Sequence, residues 1–254
     1  MRVSLSEIWG SVFIFVQRNA GLLFPLALSL LAVGQFGFAQ IMSALVSDGV
    51  SAAAIAAIPV TMLMIVTCLA AVRALVLFQQ ISVAEAIGLG FRRSPKILVV
   101  VIILSLFRLL VSLPIMLAVR SGGPEQVGAA TAIFSLAGIL VYFYVTARLL
   151  CFSAMIVERD LPLGEAVVLS WHQTAANHLS LFGMVILLQI IGDLVGLSFA
   201  ATFAVILSPI DGVAQEPGLS ALLALFCGAM ATSIVLMTFT VFSTLYYRRV
   251  ADAN

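Results

Sequence analysis

Three glutamates recur at nearly equal intervals and are the first residues whose type and spacing suggest chemistry. They are Glu7, Glu85 and Glu165, and each begins a short segment that runs into a long apolar stretch. In a functional interpretation, the three carboxylates are arranged around a pseudo-threefold axis. In a structural interpretation, each carboxylate accepts backbone N–H groups at the positively polarised start of a short helix.

The residues around these glutamates favour the structural interpretation. The first two segments contain S-x-x-E, the pattern of a capping box, in which serine and glutamate side chains bind each other's backbone N–H groups. The third segment has Pro162 in place of the serine, which suits the first turn of a helix. The sequence therefore predicts helix-capping roles for Ser4, Glu7, Ser82, Glu85 and Glu165.

A second candidate site consists of polar residues inside the apolar stretches: Gln35, Arg108, Ser112 and Asp193. Such residues are costly in hydrocarbon and usually face a partner or a water-filled cavity. Gln35 follows Glu7 at the same interval at which Asp193 follows Glu165. Ser112 lies one position short of that interval from Glu85, and Arg108 lies one helical turn before Ser112. We expect an Arg108–Asp193 ion pair. It would either gate or bind an ion or anionic headgroup, or fix the register of the helices.

Composition places these residues in a membrane protein. The chain has 254 residues, of which 63% are hydrophobic and 9% charged, whereas about a quarter are charged in soluble domains. Apolar stretches long enough to cross about 30 Å of hydrocarbon recur along the chain. The sequence predicts an all-α membrane protein with six transmembrane helices in three repeats, each a short interfacial elbow helix followed by a helical hairpin.

The expected boundaries follow the three glutamates. A single membrane domain covers 1–254, with repeats at about 1–80, 81–160 and 161–254. The elbows are expected at about 4–18, 82–96 and 162–178, with Pro95 marking a bend after the second. The six spans are expected at about 20–46, 52–77, 97–119, 128–155, 179–208 and 219–246.

Basic residues concentrate on one side of the predicted spans. This asymmetry predicts that both termini and all three elbows are cytoplasmic. Arg73 and Arg148, near the ends of even-numbered spans, could bind lipid phosphate or could extend to the interface while their stems stay in hydrocarbon. The candidate headgroup contacts are Arg73, Arg92, Arg93, Lys96, Arg148, Arg248 and Arg249.

Several function classes lack their motifs in this sequence. No HExxH sequence, Walker loop or paired-carboxylate motif occurs, so we expect no enzyme and no cofactor. The spacing of His172 and His178 does not place two ligands on one helical face, so we expect no metal site. No basic patch with interleaved aromatic residues suggests a nucleic-acid partner.

Short motifs resemble one bacterial family. They are Asn19–Pro25, Ile81–Ala86 with Phe91–Arg93, Leu163–Ala166 with Ser170, Trp171 and His178, and a Tyr-Arg pair near 247–248. Together they resemble the stand-alone bacterial family named for the membrane domain of glycerophosphoryl diester phosphodiesterases. The resemblance implies six spans in a bacterial inner membrane and no established activity. The phosphodiesterase catalytic domain is absent, so its activity is not carried over.

The resulting functional hypothesis is a non-enzymatic, multi-pass protein of the bacterial inner membrane. It would bind membrane lipids, another membrane protein or a second copy of itself, as a scaffold or accessory subunit. The alternative is a small transporter or channel that uses the polar site around Arg108 and Asp193. Gly192-x-x-x-Gly196 predicts close approach of another helix in either case.

Overall fold

A computed structural model describes residues 4–47, 52–122, 128–207 and 218–252. These residues are almost entirely helical, and no strand occurs among them. In hydrocarbon the backbone N–H and C=O groups have no water to bind, and a helix satisfies them within one segment. Six of the described helical segments are long and apolar enough to cross a membrane. The chain is an all-α membrane protein, as its composition predicts.

Ten α-helices are described, with two short irregular turns between them. The helices are α1 Leu5–Arg18, α2 Ala20–Leu26, α3 Ala32–Ser47, α4 Ala52–Leu77, α5 Val83–Gly122, α6 Ala129–Arg148, α7 Phe152–Arg159, α8 Leu163–Gln173, α9 His178–Leu207 and α10 Leu219–Asp252. A π-helical turn, Ala27–Leu31, joins α2 to α3, and a 3₁₀ turn, Ala175–Asn177, precedes α9. The predicted loops at 120–127 and 209–218 lie largely outside the described residues.

The predicted bend at Pro95 is wrong. The second elbow and the third span form one continuous helix, α5, with Pro95 inside it. Proline has no N–H, so the carbonyl one helical turn earlier loses its partner. Here that carbonyl belongs to Phe91, and the Ser94 hydroxyl donates a hydrogen bond to it at 2.9 Å. The helix continues because a neighbouring side chain replaces the missing donor.

The fourth span is interrupted where the sequence predicts none. α6 ends at Arg148, and α7 begins at Phe152 after a turn. The freed Arg148 carbonyl accepts hydrogen bonds from the hydroxyls of Ser170, at 2.9 Å, and Thr174, at 3.1 Å. Both hydroxyls come from the third elbow, so the break in this span is stabilised by a segment that follows it in the chain.

The helices form an inner group and an outer group. The inner helices α4, α7 and α10 pack against one another, and α6 extends from α7 towards the opposite end of the bundle. The outer helices pack against them: α3 against α4 and α10, α5 against α4, α6 and α7, and α9 against α6 and α10. The core therefore lies between the inner helices.

The three elbows are α1, the first turns of α5, and α8, and they lie at one end of the bundle, which we call the elbow face. α1 packs directly on an inner helix, since Trp9 lies 4.9 Å from Phe242 of α10 between ring centroids. In each elbow, nine consecutive residues show the same order of exposed, half-buried and buried positions. The three stretches begin at Ser4, Ser82 and Pro162. The fifth and ninth positions are buried in all three, which places one face of each elbow against the bundle.

Small residues allow α9 and α10 to approach closely, as the Gly192-x-x-x-Gly196 spacing predicts. A Cβ atom placed at Gly196 would collide with the Thr232 side chain, and one at Gly228 would lie 2.8 Å from the Gly196 carbonyl oxygen. Without Cβ atoms the two backbones gain van der Waals contact, the main attraction between helices in lipid.

The second elbow depends on a similar contact at Gly90. A Cβ atom there would lie 2.7 Å from the Thr67 carbonyl oxygen and 2.9 Å from the Ala71 nitrogen of α4. We expect Gly90→Ala to destabilise the protein by about 1–3 kcal/mol because backbone atoms cannot yield as a side chain can. Thermal unfolding in detergent measures the effect.

Gly88→Ala is the matched control for this prediction. Gly88 is on the same helix, and a Cβ atom there meets nothing within 4 Å. Alanine favours a helix over glycine, so this variant should unfold at the wild-type temperature or above it. Equal melting temperatures for the two variants would show that Gly90 is not a docking contact.

Candidate functional site

The predicted intramembrane ion pair is not formed. The Arg108 guanidinium lies 5.7 Å from the centre of the Tyr142 ring, and the Asp193 carboxylate accepts a hydrogen bond from Gln189 Nε2 at 2.9 Å. Both charged residues are exposed, and no ion pair in the described chain includes either of them. The physical reason is that α6 lies between α5 and α9, which carry the two charges.

The other two members of that predicted site are also apart. Ser112 donates its hydroxyl hydrogen bond to the Arg108 carbonyl on its own helix, at 2.7 Å. Gln35 is on α3, which packs on α4 and α10 rather than beside Arg108. A similar predicted depth in the membrane therefore does not bring these four side chains together.

The predicted capping box forms in the second elbow. The Ser82 N–H donates to Glu85 Oε2 at 2.8 Å, and the Glu85 N–H donates to Ser82 Oγ at 3.2 Å. At α1, Ser4 occupies the N-cap position and Glu7 the first turn as predicted, but the capping bonds are absent, because the Ser4 hydroxyl pairs with that of Ser6 at 2.9 Å.

The predicted capping bond at Glu165 is also absent. Pro162 precedes α8 without any side-chain capping bond, because proline has neither an N–H for the carboxylate nor a hydroxyl for the helix. The three repeated glutamates are exposed at the elbow face. Within the described residues, no group of three His, Cys, Asp or Glu side chains could hold a metal ion.

Two of the predicted headgroup contacts instead bind the protein itself. Arg93 and Lys96 both form ion pairs with the Asp160 carboxylate, the lysine at 2.6 Å. Lys96 also donates to the Asp160 carbonyl at 3.2 Å. Asp160 ends α7 in the left-handed conformation, with φ 54°. These cations therefore fix the junction between the second and third elbows.

Arg148 is not a lipid contact in this structure. Only 6% of the residue is exposed, and its guanidinium lies 4.5 Å from the centre of the Trp171 ring. The planar cation gains a cation–π interaction with α8. The sequence shows the arginine but not which aromatic residue it contacts, because that residue belongs to the next elbow.

The remaining predicted headgroup contacts lie near or inside recesses. Arg92 and Arg249 are exposed at the elbow face. Arg248 is half-buried and donates a hydrogen bond from Nη1 to the Val76 carbonyl at 3.3 Å. Arg73 is half-buried and lines a half-open cavity between helices. These four arginines are therefore open to a further partner to different degrees.

Two adjoining recesses under α1 form the first candidate site. Their volumes are about 450 and 240 Å³, and they share Ser11 and Leu245. We call them together the elbow groove, whose polar side chains include Ser11, Arg18, Asn19, Gln79, Arg248 and Arg249. The groove lies between α1, α2 and the ends of α4 and α10.

Local backbone geometry places Arg18 in this groove. Asn19 ends α1, and both its backbone N–H and its side-chain amide donate to the Phe15 carbonyl, at 3.0 and 2.9 Å. The chain then turns into α2, so Arg18 lies at the corner. Among the described residues, Arg18 forms no ion pair.

A comparison within the chain explains why Arg18 lacks an acidic partner. When the first two repeats are aligned on Glu7 and Glu85, Arg18 corresponds to Lys96. Lys96 pairs with Asp160 at the end of its repeat, whereas the first repeat ends at Gln80. The groove therefore keeps the cation and lacks the carboxylate that neutralises it elsewhere.

The second candidate site is a cavity of about 140 Å³ between the inner helices, which we call the axial cavity. Each inner helix region supplies an apolar residue and, one helical turn later, a polar one. The pairs are Leu69 and Arg73, Leu149 and Ser153, and Phe239 and Ser243. The axial cavity also shares Thr146 and Phe239 with a recess of about 240 Å³ between α6, α9 and α10.

Arg18, Ser153 and Ser243 were not predicted from the sequence as candidate site residues. A usable signal exists for the two serines. Arg73, Ser153 and Ser243 each lie four residues after an apolar residue of the cavity. Those apolar residues are Leu69, Leu149 and Phe239. The shared offset is the whole of the signal, since Arg73, Ser153 and Ser243 lie four, six and nine residues before the ends of α4, α7 and α10.

Comparison with known proteins finds no family model that matches, and no curated protein or solved structure matches either. Membership in the family that the short motifs resemble therefore stays a prediction. Function is inferred from the geometry of the elbow groove and the axial cavity.

Because α6 separates Arg108 from Asp193, their charges should act independently. We expect Asp193→Arg to give no rescue of Arg108→Asp, with a coupling free energy below about 0.5 kcal/mol in a double-mutant cycle. Unfolding in detergent and accumulation in the membrane measure it. A stronger favourable coupling would mean that the two side chains meet in the membrane.

Proposed function

We propose that this chain is a non-enzymatic, six-span protein of a bacterial inner membrane that binds phospholipid in its elbow groove. In this role it acts as a scaffold or accessory subunit for another membrane protein or for a second copy of itself. The single observation that carries the proposal is the elbow groove, where Arg18, without an ion-pair partner among the described residues, lies beside apolar walls at the end of the bundle.

The charges of the elbow groove favour a phosphate group. Among the described residues that line it, Arg18, Arg248 and Arg249 face a single carboxylate, that of Asp252. A guanidinium presents several N–H donors in a planar fork that matches the oxygens of a phosphate. Neutral polar side chains of the groove suit the rest of a headgroup.

The apolar surface beside the groove suits acyl chains. Ile14 and Leu22 line the larger recess, and they are 56% and 49% exposed. A phospholipid needs a cationic pocket at the interface and a continuous apolar path into the hydrocarbon. The groove offers both, because α1 lies at the elbow face and α2 leads directly into the first span.

Orientation and the threefold repeat belong to the same proposal. Basic side chains concentrate at the elbow face, which supports a cytoplasmic location for it and for both termini. The shared burial order of the three elbows supports three repeats at about 1–80, 81–160 and 161–254. The short motifs support a bacterial inner membrane through the family that they resemble.

A transporter that uses Arg108 and Asp193 is the weaker alternative. Arg108 stacks on Tyr142 and Asp193 binds Gln189, so each charge has its own neutral neighbour. Neither residue lines the elbow groove. Lipid binding therefore has the better structural support.

Arg18→Gln tests the proposal. We expect wild-type protein released from lipid nanodiscs to retain phospholipid in native mass spectrometry. The variant should retain several-fold less, because it loses the groove cation that no carboxylate of the described chain neutralises.

Arg92→Gln is the matched control, since Arg92 is an exposed arginine at the same face that lines neither recess. It should retain as much lipid as the wild type. Equal retention by all three proteins would refute the elbow groove as a lipid site. Equal loss in both variants would indicate a diffuse charge effect rather than a site.

A further inference from the structure

The axial cavity contains a positive charge for which the protein supplies no counter-charge. Arg73 lies on α4 one turn before the helix ends at Leu77, and no acidic side chain lines the cavity in the described part of the chain. Its Nε atom is buried without a hydrogen-bond partner. The described residues form no ion pair with it.

Arg73 is half-buried with a buried Nε atom, and a guanidinium in this position favours a partner from outside the described chain. Arginine stays protonated in proteins, so it cannot become neutral as a buried lysine or carboxyl group does. A buried charge without a partner is strongly destabilising, and charged groups in membrane spans usually face a partner or a functional cavity. Water can hydrate such a group, but only an anion neutralises it.

The polar residues of the cavity lie at corresponding positions on the inner helices. Ser153 and Ser243, like Arg73, each lie four residues after an apolar residue that lines the cavity. The Ser243 hydroxyl donates to the Thr240 carbonyl at 2.9 Å. Ser153 is buried, and its hydroxyl binds no group among the residues described. Arg73 and Ser153 therefore offer free donors to the same space.

The size of the cavity suits a small oxyanion. Its volume is about 140 Å³, whereas one water molecule requires only about 10–15 Å³ by this measure. Ile97, Val100 and Leu104 of α5 form an apolar wall on one side. Low polarity around the site strengthens a charge-assisted hydrogen bond.

We propose that the axial cavity binds one phosphate-type oxyanion, held by the guanidinium of Arg73 and the hydroxyl of Ser153. The oxyanion is either inorganic phosphate or the phosphate of a lipid headgroup. This site shares no lining residue with the elbow groove, so it stands independently of the proposed lipid function there.

Thermal unfolding with added ligand tests the proposal. The protein is purified in a maltoside detergent and phosphate-free buffer, and receives either inorganic phosphate or a short-chain dihexanoyl phospholipid. At least one probe should raise the wild-type melting temperature in a saturable manner, because a ligand that binds only the folded state stabilises it. A response to inorganic phosphate assigns a free-ion site, and a response to the phospholipid alone assigns a headgroup site.

Arg73→Leu gives a signature that a merely structural arginine would not. Without ligand, the variant should melt near or above the wild-type temperature because it removes a half-buried charge that the described chain does not neutralise. With ligand, it should show no shift. Ser153→Ala should bind at least several-fold more weakly while its unliganded melting temperature stays near that of the wild type.

Arg92→Gln is the control, since Arg92 lines neither the elbow groove nor the axial cavity, and its response to both probes should equal that of the wild type. A shift that Arg73→Leu abolishes and Arg18→Gln keeps belongs to the axial cavity, whereas a shift that only Arg18→Gln abolishes belongs to the elbow groove, which separates failure of this proposal from failure of the elbow groove. If Arg73→Leu does not accumulate, Ser153→Ala decides the question. The proposal is overturned if neither probe shifts the wild type, or if Ser153→Ala and Arg73→Leu respond as the wild type does.

Discussion

The fold depends on partners for two backbone carbonyls, those of Phe91 and Arg148, that lose their helical donors near the elbows. Inside hydrocarbon an unpaired carbonyl has no water to bind and costs several kcal/mol. At Pro95 the Ser94 hydroxyl takes the freed carbonyl, so the helix continues. At Arg148 the hydroxyls of Ser170 and Thr174 take it, so the helix ends there and the third elbow is attached at the same point. Small polar side chains thus stabilise both a proline inside one helix and a break between two others.

Apolar length and elbow spacing predicted the helical class and most boundaries, because each depends on residues close together in the chain. α4 ends at Leu77, where its apolar stretch does, and α9 begins at His178, one position before the predicted start. The break between α6 and α7 was not predictable in this way, because the hydroxyls that stabilise it belong to the next elbow. The prediction of an Arg108–Asp193 ion pair was wrong for a related reason. Alignment of the repeats gives the depth of a residue in the membrane but not the direction in which its side chain points.

The basic residues show what sequence can and cannot say about a site. All of them were visible as cations, and charge asymmetry pointed to one face. Their partners were not visible: Asp160 neutralises Lys96, and Trp171 covers Arg148. Arg18 and Arg73 differ because each lines a recess and no carboxylate pairs with it among the described residues. The two proposed sites therefore depend on a cation and a recess that lacks a pairing carboxylate, a combination that only the packed helices reveal.

The contact between α1 and α10 joins the first and last helices of the described chain. α10 is synthesised long after α1, so Ile8 and Val12, each 1% exposed in the finished protein, have no α10 to cover them in the meantime. An amphipathic helix can rest on the membrane surface during that interval. Assembly is therefore completed by one late, long-range contact, and the elbow groove, which α1 and α10 both line, comes into existence only when that contact forms.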